Sequence, residues 1–174
     1  MQASWLSLIV EPQIAQITRI GLTKISKLHR WLDMGKEEFL YADETYKIIG
    51  AAMQVHKHLG PGFLESVHQE AMEMELTMQG IPFVSQQKIQ VQYKSKNLRH
   101  FYIADFICYD KIVVELKAVS GILPIHSAQV LNYLVATGLK VGLLLNFNEE
   151  SLYQKRVINS FKHQYNHNKQ ESNQ

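Results

Sequence analysis

Asp105 and Glu115 are carboxylates ten positions apart, and a lysine, Lys117, stands two residues beyond the second. Carboxylate oxygens are the ligands that a hard divalent cation such as Mg²⁺ or Mn²⁺ takes. An ammonium group beside them can orient a water or face developing negative charge. The surrounding stretch, FYIADFICYDKIVVELKAV, is two apolar runs separated by Tyr109-Asp110-Lys111. Both runs are rich in β-branched and aromatic residues, which predicts an antiparallel hairpin. Alternation along the second strand sends Ile112, Val114 and Leu116 to one face and Val113, Glu115 and Lys117 to the other.

Hairpin register decides whether the two acids meet. A two-residue turn of Asp110 and Lys111 sets Phe106 opposite Glu115 and turns Asp105 away. A three-residue loop, Tyr109 to Lys111, or a bulge sets Asp105 opposite Glu115. A metal site requires the second arrangement. The plain alternative is a strand whose charges are solvated.

At 174 residues and 46% hydrophobic content, the chain is a globular protein of one main domain. The net charge of +2 announces no nucleic-acid binder by itself, and it leaves room for a local basic groove. The lone cysteine, Cys108, has no internal disulfide partner and is expected in a strand, which fits a reducing, cytoplasmic setting. No apolar run is long enough to span a membrane.

Residues 1–40 read as an extension. Trp5 to Val10 is apolar but lacks a basic lead, so a signal peptide is not expected. Ile14 to Leu32 reads as a basic amphipathic helix, packed on the domain or loosely ordered, with a membrane-surface role as a lesser option. A natural start at Met34 is a further possibility, because MGKEEFLYADETYKIIG resembles a fresh beginning.

The main domain is expected over 41–163, with 164–174 a disordered tail. Asp43 is placed to cap a helix running toward Leu59. Gly60-Pro61-Gly62 turns the chain into a second helix, with Leu64, Val67, Ala71, Met74 and Met78 as its buried stripe and Glu65, His68 and Gln69 on a polar face. Lys88 to Tyr93 alternates as a half-buried strand before the hairpin. Lys88, Lys94, Lys96 and Arg99 suit either phosphate contacts or solvation. Ile125 to Thr137 is predicted helical and Lys140 to Phe147 a buried strand. A last helix carrying Leu152, Val157, Ile158 and Phe161 is expected to close the domain. This order predicts an α/β fold, a sheet sandwiched by helices.

Four stretches, KIIGAAMQVHKHLGPGFLESVHQEA, ADFICYDKIVVELKAV, LPIHSAQVLNYL and GLLLNFN, resemble the GxxExxY proteins within the PD-(D/E)XK nuclease-like superfamily. The resemblance implies a restriction-endonuclease-like core, a central mixed β-sheet flanked by helices. It implies Asp105 and Glu115 as metal ligands assisted by Glu65, and Lys117 as the catalytic lysine. Gln129 and Tyr133 match a glutamine-tyrosine pair, four apart on one helical face, that contacts substrate or braces the ligands. His126 matches the family histidine of LPIH, and such a residue serves equally as a substrate contact or as a structural hydrogen-bonder. The motif that names the family runs from Gly62 through Glu65, but its tyrosine is His68 here. Ile103 and Val135 also stand where relatives often carry basic residues. These departures bear on substrate contacts at His68, His126, Gln129 and Tyr133 more than on metal binding. The implied activity is Mg²⁺- or Mn²⁺-dependent hydrolysis of DNA or RNA. The alternatives are a non-catalytic nucleic-acid- or protein-binding module, or another metal-assisted hydrolase on this scaffold.

Overall fold

A computed structural model describes residues 40–160. The expectations for the extension before residue 40, and for the tail, lie outside them. Among the described residues no helix is long and apolar enough to cross a membrane.

Helices α1 (Ala42–Leu59) and α2 (Glu65–Met78) precede a five-stranded sheet. Its strands are β1 (Phe83–Tyr93), β2 (Lys96–Cys108), β3 (Ile112–Lys117), β4 (Val141–Asn146) and β5 (Tyr153–Ile158), in spatial order β1-β2-β3-β4-β5. Helix α3 (Pro124–Thr137) carries the chain from β3 to β4. That pair is parallel and every other neighbouring pair is antiparallel, so the sheet is mixed. The expected α/β class, a central mixed sheet flanked by helices, is what the chain adopts.

The faces of β3 fall as alternation requires. Val113 packs with Val130, Tyr133 and Leu134 of α3 and Leu144 of β4. Ile112, Val114 and Leu116 are buried on the other face. Helix α3 sits very close to β4: a Cβ at Gly142 would lie 2.4 Å from Val130 Cγ1, so only glycine allows this approach. Gly138, left-handed at φ 75°, ends α3 where the sequence places the stop.

Three expectations need correction. The first concerns the cap of α1, which is Tyr41 in a left-handed conformation rather than Asp43. Asp43 sits in the first turn, where the positive end of the helix dipole favours its charge.

The second concerns α2, whose buried residues are His68, Met72 and Leu76. The expected stripe residues Leu64, Met74 and Met78 are 74%, 60% and 70% exposed. Two stripes compete on this helix, and tertiary contacts choose between them. The His68 ring stacks on Phe147, and Gln69 and Glu73 bond Ser85 of β1.

The third concerns the expected closing helix. Tyr153–Ile158 is strand β5, paired along its whole length with β4, from Val141–Ile158 to Asn146–Tyr153. A buried strand such as β4 needs partners for its backbone on both edges. β-branched Val157 and Ile158 suit that role. Phe161 lies outside the described residues.

Candidate active site

The hairpin between β2 and β3 takes the three-residue register. Cys108 pairs with Ile112, Ile107 with Val113 and Phe106 with Val114. Tyr109 and Asp110 both have positive φ, 54° and 56°, and the Lys111 N–H closes the turn on the Cys108 carbonyl. Such turns match the twist of antiparallel strands. Continuing the register sets Asp105 across from Glu115.

Beyond Phe106–Val114 the two strands part. Asp105 occupies the opening, and its Oδ2 accepts the Leu116 N–H at 2.8 Å in place of a ladder carbonyl. The change of phase at this point is shared with β1. Phe106 faces α2 with its partner Ser85, whereas Ala104, two residues away, packs with α3. Gln86, at φ 51°, makes the matching reversal in β1, and its Nε2 donates to Asp105 Oδ1 at 3.3 Å. A glutamine held in the left-handed region is the kind of local strain that clusters at functional sites. Gln69 of α2 donates to the Asp105 carbonyl at 3.4 Å.

Glu115 is 3% exposed, and its Oε1 accepts from Lys117 Nζ at 2.6 Å. Its Oε2 is buried without a hydrogen-bond partner. Burial, then the charge of Asp105, pushes the Glu115 carboxyl up to about 7. Asp105 is also raised by burial, against the pull of the Leu116 N–H and the Lys117 charge. Two carboxylates in a buried place repel, and a proton on Glu115 gives Asp105 a donor. Burial lowers Lys117, but Glu115 and the other acids more than offset it, so its ammonium is held above the ordinary lysine value.

Gln129 Nε2 donates to Tyr133 Oη at 2.6 Å, so the expected pair forms along one face of α3. Burial raises the Tyr133 phenol, which stays protonated, and the Glu115 charge adds to the rise. Glu65 opens α2, exposed, and its charge is felt at both Glu115 and Lys117. It does not complete a cluster with them: among the described residues no three side chains of ligand type gather as a metal site. His126 lies at the start of α3, where its Nδ1 accepts the Leu123 N–H at 3.1 Å, a capping bond. His68 is fully buried with both ring nitrogens unpartnered, so it presents nothing to a substrate in this conformation.

Sequence reasoning missed the residues that brace these groups. Gln86 is one. Asn146, fully buried at the end of β4, is another. It accepts the Val119 N–H at 3.0 Å and donates to the Val119 carbonyl at 2.8 Å, fixing the chain just past Lys117. A polar residue closing the apolar run KVGLLLN was its available signal. A concavity of about 390 Å³, lined by residues such as Lys88, Gln90 and Thr137, lies apart and holds none of these acids. Cys108 is buried in β2, and burial pushes its thiol up to about 12, so it is inert.

The donor set suits a hard cation. An unpartnered buried Glu115 oxygen, a second carboxylate across the strand and all-oxygen ligands are what Mg²⁺ or Mn²⁺ accepts. Residues 42–159 match the family model of the PD-(D/E)XK nuclease superfamily, and the chain belongs to that superfamily. No curated protein matches it. The solved structure titled "Crystal structure of SSO0001" is similar over 54% of this chain and 50% of that one, at 19% identity and a TM-score of 0.44.

Proposed function

We propose that the chain is a metal-dependent nuclease hydrolysing phosphodiester bonds of DNA or RNA, of the GxxExxY kind. The observation carrying this reading is Asp105 and Glu115 set side by side at the parting of β2 and β3, with charged Lys117 bonded to Glu115. Asp105 and Glu115 would hold the divalent ion, with the charge of exposed Glu65 assisting nearby. When bound, the ion supplies charge neutralisation at the phosphate and a more acidic water.

The residues' own tasks follow from their environments. Glu115 keeps its proton to about neutrality and, on releasing it, presents the unpartnered Oε2 for ligation. Lys117, held charged by the acids around it, donates hydrogen bonds to the attacking water or a phosphate oxygen and does not act as a base. Tyr133 accepts from Gln129, so its own hydroxyl hydrogen is available to a phosphate oxygen. The phase change at Gln86 and Asp105 lets the Asp105 carboxylate accept from the Leu116 N–H and the Gln86 amide between the parted strands, where it would serve as a ligand.

The test is cleavage of single- and double-stranded DNA and RNA with Mg²⁺ or Mn²⁺, with EDTA, and with folded Lys117→Ala. Cation-dependent cutting lost in Lys117→Ala is expected. Folded wild type that cuts nothing in any arm removes the reading in favour of a binding module. A readout apart from activity is the melting temperature, which Mn²⁺ should raise in wild type and leave unchanged in Asp105→Asn.

A further inference from the structure

The β1–β2 ribbon extends past the helices that cover the rest of the sheet. Every residue from Gln92 to Ile103 is exposed. The ribbon ends in a two-residue turn, Lys94-Ser95, with both φ positive at 47° and 63°, between the paired Tyr93 and Lys96. From Lys88 outward it reaches roughly 20 Å.

Its composition is one-sided. Phe83 to Ala104 holds four of the chain's 18 basic residues, Lys88, Lys94, Lys96 and Arg99, and none of its 16 acids. The rest of the chain is therefore net negative, and among the described residues the largest net positive run lies on this arm. Rings are exposed among those charges: Tyr93 at 62%, Phe101 at 44% and Tyr102 at 38%. Lys88 lies 4.0 Å over the Phe101 ring and Lys94 5.4 Å from the Tyr93 ring. Tyr93, the most exposed of the three, buries little apolar surface, so folding alone gives a ring no purpose at that position.

The arm is continuous with the candidate active site. Ile89, the pairing partner of Tyr102, packs with Ala104, Val113 and Tyr133. The Tyr102 ring lies 5.2 Å from the Tyr133 ring. Tyr93 and Lys96 form the outermost pair of the ribbon, beyond a break in register between Gln90 and Gln92. Rings interleaved with cations along a track are what unpaired bases and their phosphates require, because stacking needs a free base face.

We propose that the β1–β2 ribbon is a binding arm for single-stranded nucleic acid, leading an unpaired strand from Tyr93 past Tyr102 to the acids. The proposal rests on the nuclease reading for the chemistry at its inner end, but binding by the arm needs no ion.

The test is fluorescence anisotropy of the full chain in EDTA, with a labelled 20-nucleotide single strand and the duplex of the same sequence, across a salt series. Single-strand affinity should exceed duplex affinity. Tyr93→Ala and Tyr102→Ala should each weaken single-strand binding by at least about fivefold. Lys94→Gln with Lys96→Gln should make the log-affinity against log-salt slope shallower by about 1.4. The changed side chains are exposed, and matching circular dichroism and melting curves establish that the variants fold. Duplex preference, no single-strand binding at low salt, or ribbon variants that bind as wild type would each overturn the arm. Cleavage by wild type would survive such a result. Binding without cleavage removes the nuclease reading and leaves the arm standing.

Discussion

Glu115 carries the tension of this molecule. Its side chain is buried against Asp105, and one of its oxygens has no partner. Replacing it with glutamine removes the repulsion while keeping the shape. Glu115→Gln should abolish cation-dependent stabilisation yet raise the stability of the cation-free protein at pH 8, read as the urea midpoint. A variant less stable than wild type at that pH would show that the carboxylate is compensated in a way the Lys117 bond does not supply. His68 offers a contrast at the same scale. It is stacked on Phe147 at 4.6 Å and edge-on to Phe63 at 6.3 Å, with two nitrogens left unpaired. His68→Phe keeps a ring and removes both orphan polar atoms, so it should gain about 1–2 kcal/mol at neutral pH. Equilibrium urea unfolding measures it, and a loss of stability would point to a hydrogen bond made in solution.

At the scale of elements, the site depends on how α3 lies on β4. Tyr133 and Gln129 are delivered by α3, and its distance from the sheet is set where Val130 meets Gly142. Gly142→Ala would force its new methyl into the Val130 side chain, lift α3 and cost about 1–3 kcal/mol. Activity should fall further than the remaining folded fraction explains, because the Gln129–Tyr133 pair is displaced from the acids. A fully active, equally stable Gly142→Ala protein would mean that Val130 yields without moving the helix. The α1–α2 pair covers the other face through Ile48, Ala52, Val55, Met72 and Leu76. It also ties to the last strand, where Arg156 donates to Thr45 at 3.2 Å. The closing element is therefore part of the frame holding the site, although it carries none of the chemistry.

For the whole molecule, the titrating groups set opposing slopes of stability against pH. Native Glu115 holds its proton to about pH 7, whereas an ordinary glutamate releases it at 4.5. Its contribution is full below the lower value and lost as pH rises through the upper one, on the order of 3 kcal/mol. Asp105, also raised, acts in the same sense from its ordinary 3.8 upward. His68 is lowered by burial and by the nearby His56, so its contribution is present above the ordinary 6.5 and lost as pH falls through its native value. Without cations the protein should be most stable in mildly acidic solution and lose stability toward pH 8. Mg²⁺ or Mn²⁺ should flatten the basic limb, because ligation replaces the proton. Urea unfolding from pH 5 to 8, with EDTA and with each cation, measures both limbs, and a rise in cation-free stability toward pH 8 would contradict the environment described for Glu115.

Much of this was legible in the chain. The strand IVVELK presents an acid and a lysine from one face because side chains alternate, and QVLNY spaces Gln129 and Tyr133 one helical turn apart. Local periodicity determines both, whatever the neighbours do. The candidates gather through contacts that local patterning cannot specify. The apolar residues of α2 support two stripes, and Phe147, 79 residues after His68, selected the inner one. Tyr153–Ile158 became a strand because β4 offered it an unpaired edge. Asp105 came beside Glu115 because a three-residue turn and a paired reversal at Gln86 set register and phase. A chain segment encodes its own period, but register, helix rotation and edge pairing are decided by free energies shared among distant segments, and those exist only once the molecule has folded.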